Sequence, residues 1–206
     1  MFRRNKYEGE DHCYFSTYQT VDWVDVFIRP VYKQVVVHTL NHFIKSKGLV
    51  VYSWCLMSHH LHLLAESHDC PMAELEKEFK LFTTRQILEA IDTEPEIRRD
   101  WMLKRFESLR NRLGLKKKYY LWQNSSNPLH VDLNNTDHLI SIFNQIHQNP
   151  VQDKIVDLPG EYLYSSARDY AGMKGLVHIN KLRYIAQQLS ATESMKGNFF
   201  VKYVRN

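Results

Sequence analysis

Two apolar segments separated by only two residues constrain the fold more than any other feature of this sequence. The first is LVVYSWCLM, from Leu49 to Met57, and the second is HLHLLAE, from His60 to Glu66. Both have the length and the aliphatic and β-branched content of buried strands. A connection this short joins strands that run antiparallel, side by side. We therefore expect a β-hairpin within an antiparallel sheet.

Further strands and helices are predicted on either side of this hairpin. Cys13 to Val21 alternates aromatic and small polar residues, as strands do. Pro30 to Ser46 has helical spacing, with proline at its first position and Gly48 just beyond its end. The remaining predicted elements are helices over Met72 to Ile91 and Glu94 to Leu113, a strand over Lys117 to Gln123, and a helix from Asn135 or Thr136 to Pro150. This order predicts an α+β fold with a ferredoxin-like βαββαβ core, an antiparallel sheet with helices on one face.

The composition fits one globular domain, since 44% of the 206 residues are hydrophobic and 24% are charged. We expect that domain to span residues 1–175 and residues 176–206 to form a helical or extended tail. The three cysteines are odd in number and include no C-x-x-C pair, which favours a reducing, cytoplasmic setting. The N-terminus is too polar for a signal peptide, and no segment approaches the ~20 apolar residues of a membrane span.

Basic residues are concentrated between Arg98 and Tyr120, although the net charge of the whole chain is only +4. Such a run is most often a solvated helix face. Interleaved aromatic residues favour a nucleic-acid surface, because cations contact phosphates while rings stack on bases. The candidate DNA contacts are Arg98, Arg99, Lys104, Arg105, Arg110, Arg112, Lys116, Lys117, Lys118 and Tyr119.

Three of the eleven histidines, His59, His60 and His62, fall within four consecutive positions where the second hairpin strand begins. Alternation along a strand puts His60 and His62 on one face and His59 and Leu61 on the other. Two imidazoles on one face can bind one divalent ion if a third ligand comes from elsewhere. The alternative is a pair of hydrogen-bonded histidines without a metal. Asn149, at the expected helix end before Pro150, is a possible third ligand, although asparagine is also common at helix ends.

Several segments together resemble a known family. YSWCLMSHHLHLL, LWQNSSNPLHV, IHQNPVQDKIVDLPGEYLYSSARDY and VDWVDVF are similar, in the same order, to segments of the REP-associated tyrosine transposases and their insertion-sequence relatives. These are single-tyrosine members of the HUH (His-hydrophobic-His) nucleases. The resemblance extends from about Tyr14 to Tyr170. It aligns His60 and His62 with metal ligands, Asn149 with a third ligand, and Gln145 with the nucleophilic tyrosine.

The resemblance implies a DNA-cleaving chemistry that depends on the residue at position 145. In the family, Mg²⁺ or Mn²⁺ polarises a phosphate, and tyrosine forms a 5′-phosphotyrosine link beside a single-stranded DNA hairpin. A glutamine amide cannot form that link. Tyr120 and Tyr164 are the candidate substitutes, although most such rings serve packing or stacking.

Three functions remain open from the sequence. The chain is a transposase-like DNA-nicking enzyme, a non-catalytic descendant that binds hairpin DNA, or an unrelated metal-dependent phosphodiester hydrolase. The long collinear resemblance argues against the third, and Gln145 favours the second over the first. The resemblance is compatible with a monomer or a homodimer, and we expect no membrane partner.

Overall fold

A computed structural model describes residues 13–114, 118–123, 128–182 and 185, with the side chains of 109–113 excepted. Strands are Cys13–Gln19 (β1), Leu49–Leu56 (β2), His60–Ser67 (β3) and Leu129–His130 (β4). Helices are Pro30–Ser46 (α1), Met72–Thr93 (α2), Arg99–Leu113 (α3), Thr136–Gln152 (α4) and Ala167–Tyr170 (α5). Short 3₁₀ turns occupy Val21–Trp23, Val26–Ile28 and Pro159–Glu161.

The four strands form one antiparallel sheet in the order β2-β3-β1-β4. The predicted hairpin is present, and β3 lies between β2 and β1, where both of its edges are hydrogen bonded. In this register Thr17 and Cys55 flank His62 on either side. The predicted α+β class and ferredoxin-like order are therefore confirmed.

The two faces of the sheet carry different partners. On one face, the hydroxyl groups of Ser16 and Tyr18 donate to Glu76 Oε1 of α2 at 2.6 and 2.9 Å. Thr17 points to the opposite face, because alternate residues of a strand face opposite ways. There its Oγ1 atom lies 2.8 Å from His62 Nδ1. Helix α4 packs over that second face, so the structure adds a helix to the face that the predicted fold left without one.

The predicted strand over Lys117 to Gln123 is wrong for the part that the structure describes. Residues 118–123 form only a single bridge, between Trp122 and Thr20, and the fourth strand is Leu129–His130 instead. The Trp122 ring stacks on Phe27 and its Nε1 donates to Thr83 at 2.8 Å. This anchoring of one large side chain in the core replaces the ladder pairing that the sequence pattern predicted.

Helix α1 has the predicted bounds, whereas α3 and α4 differ from the prediction at one end. Helix α3 begins at Arg99, not Glu94, because Pro95 holds the residue before it in an extended conformation. Helix α4 continues through Pro150 to Gln152, so neither Asn149 nor Pro150 ends it. Proline removes one amide donor, and the next turn still closes through Asp153 N–H to Asn149 O at 3.0 Å.

The segment after α5 packs against the sheet as far as the structure describes it. Asn180 N–H donates to Val51 O at 2.8 Å, and Asn41 Nδ2 donates to Leu176 O at 2.9 Å. Residues 179–182 are not helical, and most of the tail expected over residues 176–206 lies outside the described residues. Within the described part of the chain, no helix combines the length and apolar character that crossing a membrane requires.

Candidate metal and nucleic-acid site

His60 and His62 lie side by side on the sheet face that α4 covers. Their ring centres are 4.7 Å apart, and only 8% and 7% of these residues is exposed. The Thr17 hydroxyl holds Nδ1 of His62, which leaves its Nε2 atom for another partner. The alternation predicted from the sequence therefore places both imidazoles as expected.

Asn149 comes from α4 to meet this pair. Its Nδ2 atom lies 2.9 Å from Nε2 of His60, where the amide donates to the ring. A half-turn of the same amide presents its oxygen instead, which is the atom that ligates metals. The structure thus brings together three side chains from residues that are up to 89 positions apart.

Burial keeps both imidazoles neutral. Desolvation lowers the pKa of His60 to about 3, with smaller contributions from His62 and His59, and lowers the pKa of His62 to about 4. Neutral imidazole is the form that binds metal. The Nδ1 atom of His60 is buried without a hydrogen-bond partner among the described residues. Five other buried polar atoms of the described residues share this state, so it is not by itself a sign of a metal site.

The donor set contains no carboxylate. Across the described residues, no group of three or more His, Cys, Asp or Glu side chains is arranged to hold a metal. A site here would consist of two imidazoles and one amide oxygen, with open positions for phosphate or water. Imidazole donors suit zinc, copper, iron and nickel, whereas Mg²⁺ and Mn²⁺ favour oxygen ligands such as the amide, phosphate and water.

His59 does not point away from the pair, contrary to the prediction from strand alternation. It lies in the turn before β3, where alternation does not apply, and its ring centre is 4.6 Å from that of His60. Its backbone oxygen accepts from Thr20 N–H at 2.9 Å. Desolvation lowers the pKa of His59, while Asp153 and Asp25 oppose the shift.

A buried polar cluster that the sequence analysis missed fixes α4 to the sheet. Nε2 of His147 lies 2.7 Å from Ser166 Oγ and 3.0 Å from Ser53 Oγ, and all three residues are buried. The only sequence signal was the spacing of His147 four residues after Phe143, within the apolar stripe of α4. Because His147 precedes Asn149 by two residues, this cluster sets the position of the amide as well.

Gln145 is exposed on α4, one turn before Asn149 and on the same side of the helix. The candidate substitute Tyr164 is 9% exposed, with Lys33 Nζ 4.4 Å from its ring centre. Tyr120 lines a groove of about 720 Å³ with Glu76 and other residues of α2. That groove lies beside the helix covering the other face of the sheet, so Tyr120 does not meet the histidine pair.

The candidate DNA contacts on α3 are largely engaged with carboxylates. Arg98 contacts Asp25 at 2.8 Å, Arg99 contacts Asp92 at 2.6 Å, and Arg105 lies 3.9 Å from Asp22. Lys104 is exposed, and Lys118 lies over the Tyr119 ring at 4.8 Å. The side chains of Arg110, Arg112, Lys116 and Lys117 lie outside the described residues.

Comparison with solved structures shows a similar fold in a protein of known class. The chain is similar to a REP-associated tyrosine transposase bound to a REP hairpin, with a TM-score of 0.51 and 16% identity over 88% of this chain and 93% of that one. A Deinococcus radiodurans protein assigned as a transposase matches with a TM-score of 0.42 and 16% identity, over 71% of this chain and 98% of that one. No family model and no curated protein matches the chain.

Proposed function

We propose that this protein is a transposase-like protein that binds single-stranded hairpin DNA at a divalent metal site and lacks the nucleophile for covalent strand cleavage. The observation that carries the proposal is the meeting of His60 and Asn149 at 2.9 Å, beside His62. The sequence resemblance assigns these three residues as a ligand set, and they come from two elements, β3 and α4.

The fold supports a DNA partner. The similar transposase was solved with a REP hairpin bound, and its fold matches over most of both chains. In this chain, Lys104 projects from α3 and is exposed, as a phosphate contact requires.

The metal in this proposal is held by His60, His62 and Asn149. When bound, a divalent ion supplies Lewis-acid polarisation of a phosphate oxygen. The chain's own contribution is a pair of imidazoles that stay neutral at physiological pH and a helix that positions the amide. Mn²⁺ is the probe because the sequence resemblance implies Mg²⁺ or Mn²⁺, and Mn²⁺ is the paramagnetic one of the two.

The absence of the expected nucleophile is inferred from the residue at position 145. Four residues of helix cover about 6 Å along its axis, so a side chain at 145 is within reach of a phosphate bound near Asn149. Gln145 is exposed there, and its amide does not form a phosphoester. We therefore expect binding without a covalent intermediate.

Gel shifts in Mn²⁺ with a DNA hairpin and with a duplex of the same stem sequence test the binding. We expect tighter binding of the hairpin, and equal affinity for both would contradict the proposal. Denaturing electrophoresis of the same mixtures tests the chemistry, and we expect neither adduct nor product. Cleaved DNA without an adduct would instead indicate hydrolysis by water, the reaction of a metal-dependent phosphodiesterase.

A strand-cleaving enzyme that uses Tyr164 is the second candidate. The observation in its favour is Lys33 Nζ, which lies 4.4 Å from the Tyr164 ring centre and 3.4 Å from the Tyr162 hydroxyl. A lysine beside this ring can pair with a phosphate presented to it. Tyr162 itself is a poorer nucleophile, because its hydroxyl donates to Leu56 O at 2.8 Å and burial raises its pKa. An adduct abolished by Tyr164→Phe would establish this alternative.

A further inference from the structure

An exposed tryptophan stands at the outer end of the histidine row. Trp23 is 58% exposed, and its ring centre lies 5.2 Å from that of His59. The next ring centres follow at 4.6 Å, from His59 to His60, and at 4.7 Å, from His60 to His62. A continuous line of rings therefore connects the protein surface to the candidate metal ligands.

The backbone at this point adopts a conformation that L residues disfavour. Asp22 and Trp23 are consecutive, neither is glycine, and both have positive φ, at 51° and 56°. Residues held in such conformations are found preferentially at functional sites. Here the conformation turns a large apolar ring outward and away from the core that the neighbouring Val21 and Val24 join.

Helix α3 holds the turn in place. Ser108 Oγ donates to Asp22 Oδ2 at 3.1 Å, and Arg105 lies 3.9 Å from the same oxygen. Arg98 donates to Asp25 Oδ1 at 2.8 Å, two residues beyond Trp23. Both arginines are paired with carboxylates of the turn itself, so their role is to fix its conformation and with it the position of Trp23.

We propose that Trp23 is a stacking platform for an unpaired base of the DNA whose phosphate lies at the His60–His62 pair. An exposed ring held by a fixed turn, next to the histidine row, offers a face on which a base can stack. This inference rests on the proposed function, because it places the base beside the DNA phosphate bound there.

Trp101 provides a matched control. It is also exposed, at 45%, and lies on α3 with Arg105 5.8 Å from its ring centre. It differs from Trp23 in having regular helical backbone and no ring contact with the histidine row among those described. The other two tryptophans, Trp54 and Trp122, are buried, so quenching of protein fluorescence by DNA reports on Trp23 and Trp101.

The test uses the full chain, Mn²⁺ and two hairpin oligonucleotides with the same stem, one blunt and one with an unpaired thymidine flank. Trp23→Ala should weaken binding of the flanked hairpin about 5- to 150-fold, the range for loss of one stacked base. Trp23→Phe should retain most of the affinity, and Trp101→Ala should retain all of it. Neither Trp23 variant should change binding of the blunt hairpin.

Abasic substitutions moved along the flank locate the stacked base. With the wild-type protein, one abasic position should weaken binding as much as Trp23→Ala does, and with Trp23→Ala the same position should have no further effect. Equal loss on both hairpins, or no loss on either, would overturn the inference while leaving hairpin binding established. Failure of the wild-type protein to bind either hairpin would overturn the proposed function itself. Circular dichroism of each variant confirms that the compared proteins are folded.

Discussion

Nε2 of His147 lies 2.7 Å from Oγ of Ser166, and both residues are fully buried. Ser166 Oγ also accepts from Trp54 N–H at 2.9 Å, so one hydroxyl joins α4 to β2. Ser166→Ala should lower the free energy of unfolding by about 1–3 kcal/mol, because it leaves a buried amide and a buried imidazole short of a partner. Urea denaturation measures this loss.

Ser46→Ala is the matched control for that change. Ser46 is exposed near the end of α1, where alanine is the better helix former, so its replacement should not reduce stability. A Ser166→Ala protein as stable as wild type would contradict the role of the buried cluster.

Stability should fall in acid because three buried histidines resist protonation. Burial lowers the pKa of His147 to about 3, and the pKa values of His60 and His62 to about 3 and about 4, below the ~6.5 of an unfolded histidine. At pH values between about 4 and 6.5, these histidines bind protons in the unfolded chain but not in the folded protein. The free energy of unfolding therefore decreases as pH falls from about 6.5 towards 4. His147→Gln should make this dependence shallower in urea titrations at several pH values. An unchanged slope would contradict the assignment.

The Mn²⁺ affinity of single variants should distinguish the three proposed ligands from the neighbouring His59. His60→Ala, His62→Ala and Asn149→Ala should each weaken Mn²⁺ binding more than about tenfold, the lower end of the loss caused by removing even an outer partner. His59→Ala should have a smaller effect, because His59 lies in the turn and its Nδ1 contacts Ser58 Oγ at 3.1 Å. Mn²⁺ titration followed by electron paramagnetic resonance measures all four. A loss for His59→Ala equal to the others would make His59 a ligand.

A tyrosine at position 145 should supply the missing nucleophile. Gln145→Tyr places a phenol on the side of α4 that carries Asn149, and we expect a protein–DNA adduct that survives denaturing electrophoresis in Mn²⁺. Gln145→Phe has the same ring without the hydroxyl and should give none. An adduct with the Phe variant or with the wild-type protein would instead indicate another nucleophile.

Phosphate contacts from α3 should appear in the salt dependence of DNA binding. Lys104→Ala should weaken binding of all hairpins alike and reduce the slope of log K against log salt concentration by about 1. Lys174→Ala removes an equally exposed charge from the loop after α5 and should change neither quantity. Equal effects of the two changes would indicate that only the net charge matters.

Local patterns were enough to predict the hairpin, both ends of α1 and the shared face of His60 and His62. Each of these depends on the period of a strand or helix, which can be recognised from residues close together in the sequence. The position of β4 was not predictable in this way, because it is only two residues long and both are exposed. The continuation of α4 beyond Pro150 depends on tertiary packing that overrides a local rule.

The site itself was predictable only in part. The sequence resemblance proposed His60, His62 and Asn149, but spacing alone did not join a strand to a helix so far along the chain. Trp23 and the cluster around His147 had no local signal of function, since their roles arise from contacts with residues distant in sequence. The predicted strand start at His60 matches the structure, and the error at His59 was to extend strand alternation into the turn before it.

Because Gln145 is exposed, the identity of its side chain has little effect on the stability of the fold. In most buried active sites, by contrast, the catalytic side chain and the stability of the protein are coupled. Exchanges at exposed helix positions usually change stability by less than about 0.5 kcal/mol. Gain or loss of a nucleophile at this position therefore leaves the sheet, the histidine pair and the buried cluster intact. Under the proposed function, one codon would therefore decide between cutting DNA and only binding it, without passing through an unstable protein.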